Sequence, residues 1–278
     1  MFKKSDYPDN PNDLVIKKGE FSKGIKEIDI WNYYSGIKDK LIPELKGRDL
    51  FVVIAPKAGQ ELFIRHPYDK KSEFIRINNS NDFEQYHSGK TVEYHRTSPS
   101  TTDEAVFDFD PGPQADFKDI KNAVNLCLEF IKKQNIFKKD KEIRFTGSRG
   151  FHITTYLKSK KKIESIKKDI EDLLKEYFKD NKDVVIATNK PPGKKVNIDL
   201  SQMKVNGGHI SPYSLRIKTG LVCMPIKNID SFNKEDATLK KIYKKLTGNK
   251  FIWDNIKKES SLNFSKISEK IIKEICDY

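Results

Sequence analysis

The run Ala105 to Asp110 alternates so regularly that a strand is its natural conformation. Neighbouring side chains on a strand leave opposite faces, so Val106, Asp108 and Asp110 share one face while Phe107 and Phe109 share the other. Such a strand needs a core on one side and surroundings that tolerate two carboxylates on the other. Carboxylates held close together raise one another's pKa unless a cation stands between them, and a divalent ion is the chemical reason to keep them there. The plain alternative is a polar strand end feeding a loop, for which Pro111-Gly112 supplies the turn.

The flanking sequence alternates strands with amphipathic helices, which predicts α/β or α+β architecture. Asp29 is placed as an N-cap, followed by a stripe of Ile30, Tyr33, Tyr34, Ile37 and Leu41 that ends at Pro43. Strands are expected at Leu50 to Ala55, Glu61 to Arg65, Phe74 to Ile77 and Thr91 to His95. Asp116 is expected to cap a helix striped by Phe117, Ile120, Val124, Leu128 and Ile131. Strands at Glu142 to Thr146 and Phe151 to Leu157 then form a hairpin, and Ile163, Ile166, Ile170, Leu173 and Tyr177 mark another helix. Further strands are expected at Asp183 to Thr188, at Val196 to Leu200 and near Leu221, with helices at Glu235 to Leu246 and Ser265 to Ile275. The whole of 1–278 reads as one domain, in which 1–100 is a possible N-terminal subdomain ending in the Ser/Thr/Pro-rich stretch Arg96 to Thr102. Residues 101–226 carry the motifs and 227–278 form a helical extension.

A third carboxylate, Asp199, lies between buried positions in the Val196 to Leu200 strand and needs a partner there. If that strand lies beside the first, Asp108, Asp110 and Asp199 form one site for two divalent ions. A structural Asp paired with Lys or with backbone donors is the other reading. Between the acidic strands, Thr146-Gly-Ser-Arg-Gly-Phe-His152 supplies positive charge and hydroxyl donors. Gly147 and Gly150 allow a tight turn, Thr146, Ser148 and Arg149 offer phosphate contacts, and His152 faces the same way as Thr146. Taken alone, a glycine-containing hairpin also serves a purely structural turn. Ser214, Arg216 and Lys218 fall on one face if their segment is extended, where they would grip a triphosphate or form ordinary salt bridges.

Net charge is +13, from 53 Lys+Arg against 40 Asp+Glu, which favours polyanionic partners and nucleic acid first among them. Cys127, Cys223 and Cys276 are too widely spaced for a CxxC-type zinc cluster or a disulfide framework, which suits a reducing compartment. No apolar run approaches a membrane span and the first residues contain no signal-peptide core, so a soluble, cytoplasmic and nucleoid-associated protein is expected, without a membrane partner.

At these residues the chain resembles the archaeo-eukaryotic primase superfamily, and more closely the polymerase domain of bacterial ligase D. That group carries an Asp-x-Asp pair, a Ser-Gly-x-Lys-Gly-x-His loop and a later single Asp on a strand. They correspond here to Asp108 and Asp110, to Thr146 through His152, and to Asp199. Trp31 to Leu50 and Pro212 to Arg216 continue the resemblance, which covers about residues 28–226. Thr146 stands where the family has serine, and Arg149 where it has lysine, which keeps the charge and changes the geometry. Pro191-Pro-Gly-Lys-Lys195 is an altered form of the stretch before the third acid.

The resemblance implies an α+β core of two mixed or antiparallel sheets with flanking helices and an active site in the cleft between them. It implies a template-directed nucleotidyltransferase that adds NTPs, with ribonucleotide preference, to a primer 3′-hydroxyl during gap filling or end joining. Asp108, Asp110 and Asp199 would hold two Mn²⁺ or Mg²⁺ ions. Thr146, Ser148, Arg149, His152, Ser214, Arg216 and Lys218 would bind the nucleotide, with Phe63 stacking and Arg65 or Lys57 reaching phosphate; a buried core role is open to Phe63 as well. Lys70, Lys71, Lys194 and Lys195 would contact nucleic acid, unless they are simply solvated. Expected partners are primer-template or broken-end DNA, a separate DNA ligase and a Ku-like end-binding protein. A primase starting on unprimed template is the nearest rival; a nuclease, a glycosyltransferase and a basic binding module without catalysis are more distant.

Overall fold

The computed structural model describes residues 12–17, 19–20, 24–56, 58, 60–66, 73–186 and 191–249. A short antiparallel ribbon, β1 (Leu14–Ile16) with β2 (Ile25–Lys26), leads into α1 (Glu27–Leu45). Ile30, Tyr33, Tyr34, Ile37, Leu41 and Leu45 are buried, as the stripe requires. The start differs from the expectation: Lys26 is the N-cap, and Asp29 sits one turn in, where its carboxylate accepts the Lys26 backbone N–H at 2.8 Å. The acid still satisfies an orphan donor of the first turn, from inside the helix. The helix also passes Pro43 and ends at Leu45. One missing backbone bond is outweighed there by burial of Leu41, Ile42 and Leu45.

After α1 come β3 (Leu50–Ile54), β4 (Leu62–Ile64), α2 (Ser80–Tyr86) and β5 (Thr91–Thr97). The expected strand at Phe74 to Ile77 is only a single bridge from Ile75 to Leu50. The chain continues through β6 (Thr101–Pro111), α3 (Phe117–Lys133), β7 (Phe137–Phe145), β8 (Phe151–Lys162) and α4 (Ile163–Tyr177). Then follow β9 (Val184–Ile186), β10 (Val196–Asp199), β11 (Gly208–Ile210), β12 (Met224–Ile226), a 3-10 turn at Lys234–Ala237 and α5 (Leu239–Thr247).

Two main sheets result. One has six strands in the order β12-β7-β8-β6-β10-β9, antiparallel except where β9 runs parallel to β10; the other has four in the order β11-β5-β3-β4, all antiparallel. The chain changes sheets between Thr97 and Thr101, and returns to the four-stranded sheet at Gly208 to pair with β5. This is the α+β arrangement of antiparallel and mixed sheets with flanking helices that the sequence implied.

Phe107 and Phe109 leave the opposite face of β6 from its acids and are fully buried. Phe107 meets Phe130 of α3 and Phe137 edge to face, at 6.5 and 6.1 Å between centroids. Asp116 caps α3 by accepting the N–H groups of Lys118 and Asp119, but the buried stripe is turned toward Ala123, Cys127 and Phe130, leaving Leu128 half-buried. Leu221 makes a single bridge, to Thr238, rather than a strand, and β12 begins at Met224. Among the described residues no helix is long and apolar enough to cross a membrane. Lys57, Lys70, Lys71, Thr188, Cys276 and the Ser265 to Ile275 segment lie outside the described residues, as does most of the expected C-terminal extension.

Candidate active site

Strand register sets the site. Arg144 of β7 stands opposite His152 of β8, His152 opposite Asp108 of β6, and Asp108 opposite Asp199 of β10. Directly opposed residues present their side chains on one face, so these four form a row across the six-stranded sheet. Two residues farther along β6, Asp110 faces Asn197.

The row is hydrogen-bonded in detail. His152 Nε2 lies 3.2 Å from Asp108 Oδ1, and Gln202 Nε2 donates to Asp108 Oδ2 at 2.7 Å. The Ser201 backbone N–H donates to Asp199 Oδ1 at 2.8 Å, and its hydroxyl donates to the other oxygen. Asp110 has its carboxyl pushed up to about 6, by loss of hydration first and then by the charges of Asp108 and Asp199, with Arg149 opposing. The three acids are therefore close enough to repel. Among the described residues no three His, Cys, Asp or Glu side chains converge as a ready metal cage. Asp108 and Asp199 instead engage their oxygens with His152, Gln202 and Ser201.

The turn joining β7 to β8 is pressed against the acidic strand. A Cβ at Gly150 would lie 2.4 Å from the Phe109 carbonyl oxygen, so only glycine lets the turn approach β6 so closely. Gly147 has φ +78°, and a Cβ there would meet the Leu221 carbonyl oxygen at 2.9 Å. Thr146 closes the turn, donating both its backbone N–H and its hydroxyl to the Gly150 carbonyl at 3.1 Å. Ser148 and Arg149 at the tip project into a cavity of about 350 Å³ that also receives Asp108, Asp110 and His152.

The opposite wall comes from the four-stranded sheet and the segment after β11. Phe63 on β4 is 60% exposed at the cavity edge, which excludes a core role for it. Arg216 and Lys218 also line the cavity, although their segment is a turn in which Gly220 N–H donates to Arg216 carbonyl at 2.8 Å, rather than an extended run. The turn breaks the alternation assumed for Ser214. That residue is fully buried, its Oγ accepting the Tyr94 N–H at 2.7 Å, and it does not line the cavity. Arg65 is likewise outside the cavity lining and stacks 5.1 Å above the Phe51 ring. Lys194 and Lys195 lie in the loop before β10, which abuts the end of β6 where Gly112 N–H donates to Lys195 carbonyl at 2.9 Å.

Several cavity residues were not anticipated. Glu93 of β5 accepts from His95 Nε2 at 2.7 Å, from Arg216 at 2.9 Å and from the Ile217 N–H at 2.8 Å. Burial would raise the Glu93 carboxyl, but the His95 hydrogen bond and the Arg216 charge hold it below its ordinary value. His95 is stacked on Phe51 at 4.4 Å, and burial lowers its pKa. His209 is lowered well below the ordinary histidine range by burial and by Arg96 and Arg144. The available signal was Glu93-x-His95, an acid and a histidine two apart on a strand and so on one face.

The chain matches the family described as LigD, primase-polymerase domain, over residues 69–253. No curated protein matches it. Among solved structures, the polymerase domain from Mycobacterium tuberculosis ligase D in complex with DNA is similar at a TM-score of 0.66 and 17% identity, covering 85% of this chain and 99% of that one. The AEP domain of the cyanophage S-2L primase-polymerase gives a TM-score of 0.37 at 8% identity, covering 76% and 96%. Since the family match spans well over half of the sequence and includes all of the strands that set Asp108 beside Asp199, the chain belongs to the LigD primase-polymerase domain family.

Proposed function

We propose that the protein is a template-directed nucleotidyltransferase that adds nucleoside triphosphates, with ribonucleotide preference, to a primer 3′-hydroxyl during gap filling or end joining. The supporting observation is the meeting of two charge sets in one cavity: Asp108 and Asp110 on β6, with Asp199 beside them, the Ser148-Arg149 tip packed against the same strand, and Arg216 and Lys218 on the opposite wall. This is the distribution that a triphosphate with its counter-ions requires.

Hard oxygen donors and a carboxyl raised by its neighbours fit Mg²⁺ or Mn²⁺, and Asp108, Asp110 and Asp199 would hold two such ions. When bound, the ions would favour the alkoxide of the primer and neutralise charge on the triphosphate. Gln202 and Ser201 hold Asp108 and Asp199 in place without them. Ser148, Arg149 and His152 grip phosphate oxygens, and Glu93 holds the Arg216 guanidinium at the cavity rim. The exposed Phe63 ring offers a stacking surface to a base or sugar. Catalysis is then alignment and electrostatic stabilisation. Lys194 and Lys195, beside the end of β6, contact the template backbone, and a separate ligase and a Ku-like end-binding protein complete the repair.

The test is extension of a labelled primer on a gapped template with Mn²⁺ and either ribo- or deoxyribonucleotides, beside Asp108→Ala protein and an unprimed template. Extension that disappears in the variant supports the proposal. Products on unprimed template reassign the chain as a primase, and primer shortening without nucleotides would make it a nuclease.

A further inference from the structure

At the end of β7 and β8 remote from the Thr146 to Gly150 turn, residues 138–141 and 158–162 are all exposed, and seven of these nine are lysine. Lysine is a poor strand former, so strand propensity does not account for its concentration here. The ladder is irregular at the same place. Two steps on β6, from Thr102 to Glu104, face five on β8, from Lys161 to Tyr156, and four steps on β7, from Phe137 to Lys141, face two on β8. Both segments therefore carry extra residues that bow out of the sheet.

Three of the lysines have local partners: Lys138 pairs with Asp103 at 2.8 Å, Lys158 reaches Asn135 at 2.6 Å, and Lys161 pairs with Asp169 at 3.0 Å. The side chains of Lys139, Lys141, Lys160 and Lys162 make no hydrogen bond or ion pair among the described residues; Asp103 is held below its ordinary pKa first by the Lys138 hydrogen bond, with a smaller contribution from the charge of Lys160. In the adjoining cavity, of about 390 Å³, Arg48 and Arg76 are matched by Glu104 and Asp49, so the unbalanced charge belongs to the lysines.

We propose that this lysine-rich end is a docking surface for the phosphate backbone of duplex DNA. Charge complementarity argues for a polyanion, and the absence of any exposed large hydrophobic there argues against a bilayer, since those described are Leu14, Leu62, Phe63 and Val205. The surface shares its strands with the cleft. Thr101, opposite Lys162, is seven residues along β6 from Asp108, about 23 Å at ~3.3 Å per residue. That span corresponds to about seven base pairs at ~3.4 Å per step. Only the identification of the bound duplex with the DNA whose 3′ end enters the cleft rests on the polymerase proposal.

The test is a salt titration of binding to a 30-base-pair duplex, without nucleotide, by the full chain and by Lys139→Gln/Lys141→Gln/Lys160→Gln/Lys162→Gln protein. A control removes equal charge elsewhere, by Lys167→Gln/Lys168→Gln/Lys175→Gln/Lys179→Gln, and circular dichroism checks that both fold. We expect about tenfold weaker binding at 0.1 M salt, and a log K against log salt slope shallower by about 3, in the first variant only. If the same duplex also has its end in the cleft, shortening it below about seven base pairs erases the difference between that variant and the parent protein; a difference that persists leaves the surface standing and separates it from the cleft. Equal losses in both variants, or no change in slope, would overturn the surface. So would loss of binding to phosphatidylserine vesicles with duplex binding intact. Asp108→Ala protein should keep the full slope, so failure of the polymerase proposal leaves this result standing.

Discussion

Asp199 stands directly opposite Asp108 across an antiparallel strand pair, and burial, with the charges of these two carboxylates added to it, holds Asp110 well above its ordinary pKa. Removing either member is expected to separate chemistry from DNA binding. Asp108→Ala or Asp199→Ala should lower nucleotide incorporation by at least about 10³-fold, the scale of losing a major electrostatic contact. DNA affinity, measured by polarisation, should stay within about twofold, because basic side chains far from the row supply it.

The pH dependence follows from Asp110. Its carboxyl is raised from 3.8 to about 6 in the folded protein, so between those values the native state binds more protons than the unfolded chain. Stability must then fall as pH rises through that window. In divalent-free buffer the melting temperature should climb as pH is lowered from 7 to 5, and Asp110→Asn should abolish that part of the climb. Millimolar Mn²⁺ should flatten the profile of the parent protein; a profile identical in parent and Asp110→Asn would refute the repulsion.

Glu93 is buried with three donors on its carboxylate. Glu93→Gln keeps the shape and removes the charge that balances Arg216. Denaturant unfolding should show a loss of about 3 kcal/mol, as expected when one partner of a buried pair is neutralised. Nucleotide KM should rise more than kcat falls, since the Arg216 guanidinium loses the partner that orients it.

Gly150 leaves no room for a methyl group against the Phe109 carbonyl. In Gly150→Ala the turn must retreat from β6, taking Ser148 and Arg149 with it. The expected stability loss is about 1–3 kcal/mol, typical of overpacking. Activity should fall by a larger factor than stability alone explains, as seen by assaying at temperatures well below the melting transition.

Phe63 offers the opposite separation. With 60% of its surface exposed, its removal should change stability by no more than about 0.5 kcal/mol. Phe63→Ala should nevertheless raise the KM for nucleotide or template, while Phe63→Trp should retain binding, the pattern of a stacking surface.

The acidic row was legible because strand alternation is a local code: Asp108, Asp110 and Asp199 are each fixed by neighbours within two residues. The glycines at 147 and 150 were legible for a similar reason, since a tight turn demands them. Ser214 was misplaced because the alternation rule was applied to a segment that turns instead, and its hydroxyl went to the Tyr94 N–H 120 positions away in sequence. Glu93 and His95 were missed because their only local mark is the two-residue spacing on one strand, and His209, open to reading as a surface loop residue, is buried on β11. Their roles depend on β11 returning to β5 after the chain has built almost all of the other sheet. Asp29 shows a smaller version of the same limit, where an acid at a helix start was recognised but its position was set by the preceding ribbon.

Asp199 is the last residue of β10, and only the stretch from there to Gly208 separates it from the strand that enters the opposite wall. The third acid is therefore tethered to both halves of the cleft. A second, shorter link, Ser98 to Ser100 between β5 and β6, ties the same two sheets together at the other end of the acidic strand. The two crossings bracket Asp108 and Asp199, so the spacing of the walls and the placement of the acids are set by the same pieces of chain.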